Sequence, residues 1–159
     1  MVKNKLEKKF SASLKADPDL WGMKLHNNML AHQTTPADYI IDYEKDSKIT
    51  LILVECKQVT LQDGKGRFAF KRMKQMHDLL AFENIRPLNH KSYVCLSYLD
   101  NRWENSEVYI IPAYILNEII EFETEKGNMS LNRQNAYSVF GKYKAKYTNQ
   151  NIALDGLKS

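Results

Sequence analysis

Asp38, Glu55 and Lys57 are the residues whose types and spacing could do chemistry in this 159-residue chain. Pro36-Ala37-Asp38 leads into the apolar run Tyr39-Ile40-Ile41, and a polar turn around Glu44-Lys45-Asp46-Ser47-Lys48 follows. The run Ile49-Thr50-Leu51-Ile52-Leu53-Val54 then ends in Glu55-Cys56-Lys57. Its β-branched, aliphatic character predicts a buried strand. Side chains alternate along a strand, so Glu55 and Lys57 point the same way. If the two runs pair as a hairpin, Asp38 comes close to Glu55. Two carboxylates held together at a strand end repel, and burial sharpens the repulsion, so the arrangement calls for a cation between them. Oxygen ligands suit a hard ion such as Mg²⁺ or Mn²⁺, which keeps waters and meets a phosphate. A neighbouring lysine can orient the attacking water or stabilise charge growing on the phosphate. The chemistry implied is metal-assisted hydrolysis of a phosphodiester. An exposed cross-strand ion pair would leave the same letters, and Glu-x-Lys occurs again at Glu7-Lys8-Lys9.

Pro36-Ala37-Asp38 followed by Glu55-Cys56-Lys57 resembles the PD-(D/E)xK nuclease signature. Within that superfamily, residues 1–120 are most similar in layout to the RecU- and Hjc-type Holliday-junction resolvases, including viral ones. The likeness includes an N-terminal helix with Glu7, the approach Thr34-Thr35, the Glu55-Cys56-Lys57 strand, and a following helix with Gln75, then a hairpin and a helix. It implies an α/β fold: a restriction-endonuclease-like core with a mixed central β-sheet flanked by helices. It also implies that Asp38 and Glu55 bind Mg²⁺, with Mn²⁺ able to substitute, and that Glu7 helps hold the metal or its water. Lys57 would position the water and Gln75 would support the site. DNA four-way junctions would be the partner, and a homodimer would make paired nicks. A nuclease of the same type with another DNA target, or a DNA-binding protein without the chemistry, are the alternatives.

The elements must place these residues. Val2, Leu6, Phe10 and Leu14 recur every four residues and predict a helix over 2–15, with Glu7 beside the apolar stripe. A solvated Glu7 paired with Lys3 or Ser11 is the plain alternative. Asp17-Pro18-Asp19 ends the helix. Leu20 to Leu25 follows, with Trp21 expected to pack. The polar approach to Asp38 contains Thr34 and Thr35, which could donate hydrogen bonds to phosphate or serve as ordinary turn residues. Gly64 and Gly66 mark a flexible loop carrying Lys65 and Arg67 directly after the site strand. Phe68 to Glu83 reads as a helix whose apolar stripe is Phe70, Met73, Met76 or His77, and Leu80. Lys71 and Arg72 there are phosphate-contact candidates, and Gln75 could equally be an exposed helix residue. Strands are expected over 92–99 and 107–111, beside the strand over 49–57. A helix opened by Pro112 has a core face of Ile115, Leu116, Ile119, Ile120 and Phe122.

Residues 1–125 form the expected nuclease core, and 126–159 a basic, aromatic extension of the same single domain. Lys126, Arg133, Lys142, Lys144, Lys146 and Lys158 interleave there with Tyr137, Phe140, Tyr143 and Tyr147. Lysines on phosphate and rings against bases would suit nucleic acid, with Lys142 and Lys144 as DNA contacts. Packing back on the sheet, or against a second subunit, explains the pattern equally. The formal net charge of +4 points the same way only gently. The length is enough for one real core. No run approaches the ~18 apolar residues of a membrane span, and the N-terminus lacks the apolar centre of a signal peptide. The loop over 62–67 lacks the spacing of a nucleotide-binding loop, so no nucleotide cofactor is expected. Cys56 and Cys95 form no zinc pattern and read as reduced core residues of a cytoplasmic protein, in a host cytoplasm if viral.

Overall fold

The computed structural model describes residues 5–26, 35–148 and 150–158. The elements in order are α1 (Lys5–Ala16), β1 (Leu20–Lys24), β2 (Tyr39–Lys45), β3 (Lys48–Thr60), β4 (Arg67–Ala69), α2 (Met76–Ile85), β5 (His90–Leu99), β6 (Glu107–Pro112), α3 (Ala113–Glu125), β7 (Ser130–Asn132) and α4 (Arg133–Phe140). The expected hairpin is β2–β3. It is closed by Asp46 and Ser47, both at positive φ (52° and 63°), the primed-turn geometry that matches the right-handed twist of the strands. Its register sets Tyr39 opposite Val54 and Ile41 opposite Ile52.

Around this hairpin stands a five-stranded mixed sheet in the order β1-β2-β3-β5-β6. β3 and β5 are parallel, with α2 in the connection between them, and the other pairs are antiparallel. This is the α/β class with a mixed central sheet flanked by helices. Side-chain alternation splits the core. Ile52, Val54 and Cys56 face α1, whose Leu6, Phe10 and Leu14 are buried against them. Leu53 and Val59 face the other way, into a cluster with Leu79, Leu116, Leu131 and Phe140 from α2, α3, β7 and α4. Glu55 and Lys57 fall between Leu53 and Val59 on that second face.

Residues after 126 belong to both halves of the core. Leu131, Ala136 and Phe140 pack on the second face, while Ile152, Leu154 and Leu157 pack on the α1 face. Ile152 N–H donates to the buried Ser13 Oγ at 2.6 Å, tying the C-terminal segment to α1. Lys142, Lys144 and Lys146 point to solvent while Tyr143, Ala145 and Tyr147 between them are half-buried. Packing back on the sheet thus accounts for the apolar half of the pattern.

Several elements differ from expectation. The helix expected over 68–83 is three pieces: β4, a 3₁₀ turn over Phe70–Arg72, and α2 from Met76. Phe68 is taken by antiparallel pairing of β4 with β7, about sixty residues on, and a partner that far along the chain leaves no local signal. Trp21 is 67% exposed rather than packed. β1 is an edge strand, and Leu20 and Gly22 take its α1-facing positions. A Cβ on Gly22 would come within 2.9 Å of Leu14 and Ile41 side chains. Phe122 is also exposed, since the buried side of α3 is carried by Ala113, Leu116 and Glu123. β6 neighbours β5, not β3. The two cysteines are free, buried and opposite each other on β3 and β5.

Candidate active site

β2 begins at Tyr39, and the residue before it continues the ladder by one step. Asp38 N–H donates to Val54 O at 3.0 Å, and Asp38 O accepts from Leu25 N–H at 2.7 Å. With Tyr39 opposite Val54, this sets Asp38 opposite Glu55. Cys56 N–H then has no strand backbone to meet on that side, and Asp38 Oδ2 accepts it at 2.8 Å. The aspartate is thus pinned by the strand that carries the glutamate. Lys57 Nζ lies 3.0 Å from Glu55 Oε1, with both side chains largely buried.

Burial decides the charge states. Desolvation, then the field of Asp38, pushes the Glu55 carboxyl up from its ordinary 4.5 to about 7, against the pull of Lys57. Asp38 is raised too, chiefly by desolvation and by Glu7, while the Cys56 N–H and Lys57 pull it down. One lysine does not settle a buried glutamate and a half-buried aspartate. Oxygen donors raised by desolvation, and then by a neighbouring carboxylate, fit a hard divalent cation, which would favour both ionised forms together. Among the described residues, no three His, Cys, Asp or Glu side chains converge tightly enough to enclose a metal. Two carboxylates, with waters and a phosphate completing the shell, match the habit of Mg²⁺ better than that of a cation needing a full protein cage.

Glu7 reaches the same neighbourhood from α1. Its charge is felt at Asp38, Glu55 and Tyr39. Its carboxylate is held by Lys24 Nζ at 2.6 Å, at the end of β1; of the alternative partners, Lys3 lies outside the described residues and Ser11 Oγ meets the Tyr39 hydroxyl instead. Tyr39 fixes the helix beside it: its hydroxyl donates to Glu7 O at 3.0 Å and meets Ser11 Oγ at 2.6 Å. Gln58 Oε1 accepts Leu6 N–H, one of the free donors of the first helical turn, at 3.0 Å. Lys24, Tyr39 and Gln58 were not among the sequence candidates. Nothing in their spacing marks them, because each acts through an element that folding brings from elsewhere.

Gln75 stands just before α2, on the same face as Glu55. Ser92 Oγ donates to Leu79 O, and Ser92 pairs with Leu53. Four helical residues back from Leu79 cover about 6 Å, the rise of roughly two strand residues, which puts Gln75 about level with Glu55. Gln75 Oε1 is buried without a hydrogen-bond partner among the described residues, an orphan acceptor of the kind that a ligand or water satisfies.

The nucleic-acid candidates scatter more widely. Thr34 lies outside the described residues, and Thr35 is half-buried just ahead of Asp38. Lys71 is exposed, and the Arg72 guanidinium lies 5.9 Å over the Phe68 ring. Lys65 and Arg67 line a cleft with residues of α4. Lys142 and Lys144 are exposed beside β6 and lie over Tyr143 and Tyr137 at 5.0 and 5.6 Å. Among the described residues, no helix is long and apolar enough to cross a membrane.

No family model matches this chain. No curated protein matches it either. Among solved structures, it is similar to Hjc of Archaeoglobus fulgidus, a Holliday junction resolvase from an archaeal hyperthermophile. The two share 17% identity with a TM-score of 0.39, over 79% of this chain and 88% of that one.

Proposed function

We propose that this protein is a metal-dependent DNA endonuclease that hydrolyses phosphodiesters. Its substrate would be the four-way junction, cut by a symmetric pair of chains. The observation that carries the hydrolytic part is Asp38 opposite Glu55, both raised by burial, with Lys57 3.0 Å from the glutamate. Mg²⁺, when bound, supplies positive charge at the phosphate and lowers the pKa of a water. Asp38 and Glu55 are the residues that would hold it. The Cys56 N–H keeps the aspartate oriented, so little reordering is needed on binding. The Lys57 ammonium, freed from Glu55 as that carboxylate turns to the metal, would orient the attacking water and offset charge on the phosphate oxygens. Glu7 would hold a water of the metal shell from the α1 side, released from Lys24. Gln75 would give its free acceptor to the same water network.

The junction and the pairing of chains rest on the resemblance to RecU- and Hjc-type resolvases. A two-fold pair of sites would match a two-fold junction. The test is cleavage of a labelled synthetic four-way junction, with linear duplex, flap and single-strand controls, each in Mg²⁺ and in chelator. Paired, metal-dependent nicks at the junction are expected. Cutting of another of these substrates keeps the site and removes the junction. Binding without cutting in either Mg²⁺ or Mn²⁺ removes the nuclease.

A further inference from the structure

A second cleft lies on the same side of the sheet, between the loop after β3 and the start of α4. Its volume is about 690 Å³, and Lys65, Gly66, Arg67, Arg133 and Tyr137 are among its lining residues. That lies within the roughly 300–1,000 Å³ range of sites that take a small molecule or a single unit of a polymer. Gly66 presses against the site strand: a Cβ there would come within 2.8 Å of Val59 and 2.9 Å of Leu61 side chains. Val59 is two residues beyond Lys57 on the same face, a step of about 7 Å along the strand. The cleft therefore opens past the Lys57 end of the site strand, about 13 Å along it from Glu55.

Its charges are not balanced internally. Glu107, its acid, is consumed by Arg133 Nε at 2.5 Å and by the Tyr109 hydroxyl at 2.5 Å. Lys65 and Arg67 are exposed, and among the described residues neither is salt-bridged to a carboxylate. Arg67 Nε donates to Ser130 Oγ at 2.9 Å, which fixes the plane of the guanidinium while its terminal amino groups remain for a ligand. Beside them Tyr137 is 57% exposed, a large ring left in solvent, with Lys144 Nζ 5.6 Å from its centre. A fixed arginine fork, a free lysine and an open aromatic ring in one cleft form a set that takes a phosphate and a base at once.

We infer that this cleft holds one unpaired nucleotide of the DNA beside the cut, its phosphate on Arg67 and Lys65 and its base against Tyr137. A base stacked on both sides in continuous duplex cannot offer a face to Tyr137, so a four-way junction would fill the cleft only with a nucleotide opened at its branch point, whereas a flap or a single strand offers one without opening. The inference rests on the nucleic-acid reading of the carboxylate site, but binding can be measured without cutting.

The experiment uses the full chain in chelator with three fluorescein-labelled probes: a single-stranded thymidine oligomer, a duplex with a thymidine flap, and a fully paired duplex. Tyr137→Ala is expected to weaken the two unpaired probes about tenfold and leave the paired duplex unchanged, with Tyr137→Phe close to wild type. Arg67→Ala should weaken the unpaired probes and reduce the salt dependence of their binding by about one ion. Wild-type affinity of Tyr137→Ala for the unpaired probes, or an equal loss on all three, overturns the proposal. Melting curves confirm that the variants fold, as substitution of exposed side chains permits. Absence of metal-dependent cutting by the wild type would remove the nuclease reading and leave this binding result standing, so the two failures are distinguishable.

Discussion

Two clusters in this molecule are built from the same residue types, carboxylates and lysine, and they settle their charges differently. At the C-terminus, Lys158 Nζ meets Asp17 at 2.9 Å and Asp19 at 3.0 Å. The hydrogen bond to Asp17 leads the causes that raise the lysine's pKa. Lys158 and Asp17 are part-buried and Asp19 is open to solvent, and together they latch the C-terminal segment to the turn after α1. At the β2–β3 end, Asp38 and Glu55 face each other in a desolvated place with Lys57 on one of them, and both carboxyls are pushed up. The first cluster is complete without a ligand. The second is not, and its unsettled charge is what a binding site holds in reserve. Residue type alone does not separate them; burial and the ratio of signs do.

The comparison can be broken by neutralising each cluster in turn. Asp38→Asn or Glu55→Gln should lower metal-dependent cleavage by about 10³-fold or more, while DNA binding in chelator holds or improves because carboxylate–phosphate repulsion is removed. Single-turnover cleavage and a binding titration read the two effects, and loss of binding together with misfolding would make the carboxylates structural. Lys57→Met should cost about 10²-fold in cleavage with little change in binding.

Stability against pH sharpens the contrast. Glu55 titrates at about 7 in the folded chain against an ordinary 4.5. Its raised pKa favours the fold fully below about 4.5, and this contribution is lost as pH rises through about 7. In chelator, Glu55→Gln should therefore gain about 3 kcal/mol over wild type on going from pH 4 to pH 8, read from thermal melts. Added Mg²⁺ should raise the wild-type melting point more at pH 8 than at pH 5, because ligation needs the ionised carboxylate. An equal shift at both pH values would remove the metal role. The smallest effect belongs to the settled cluster. Lys158→Ala should cost about 1 kcal/mol of stability, less in high salt, with cleavage unchanged.

Much of the site was legible because its signals are local. Asp38, Glu55 and Lys57 announce themselves through an alternating strand and a turn whose length sets the register, so their convergence follows from β-sheet periodicity. Gln75 was placed on a helix that starts later than its apolar stripe suggested, since β4 had claimed Phe68. Trp21 read as core because large apolar residues are usually inside, but among the described residues nothing packs over its side of the edge strand β1. The cleft by Tyr137 was half visible: Lys65, Arg67 and Lys144 stood out as basic residues, whereas Arg133 and Tyr137 join them only once β7 pairs with β4.

The sequence by itself determined the hairpin, the shared face of Glu55 and Lys57, the approach of Asp38 and the helical stripe that buries Leu6, Phe10 and Leu14. Each follows from a period of two or four residues, which a chain cannot hide. Only the tertiary structure decided that Lys24 holds Glu7, that Gln58 caps α1, that the segment after residue 126 completes both halves of the core, and that an exposed ring shares one cleft with two cations that have no carboxylate partner among the described residues. Those contacts join residues far apart in the chain. Their partners are chosen by the burial of whole elements, and no local spacing records that choice.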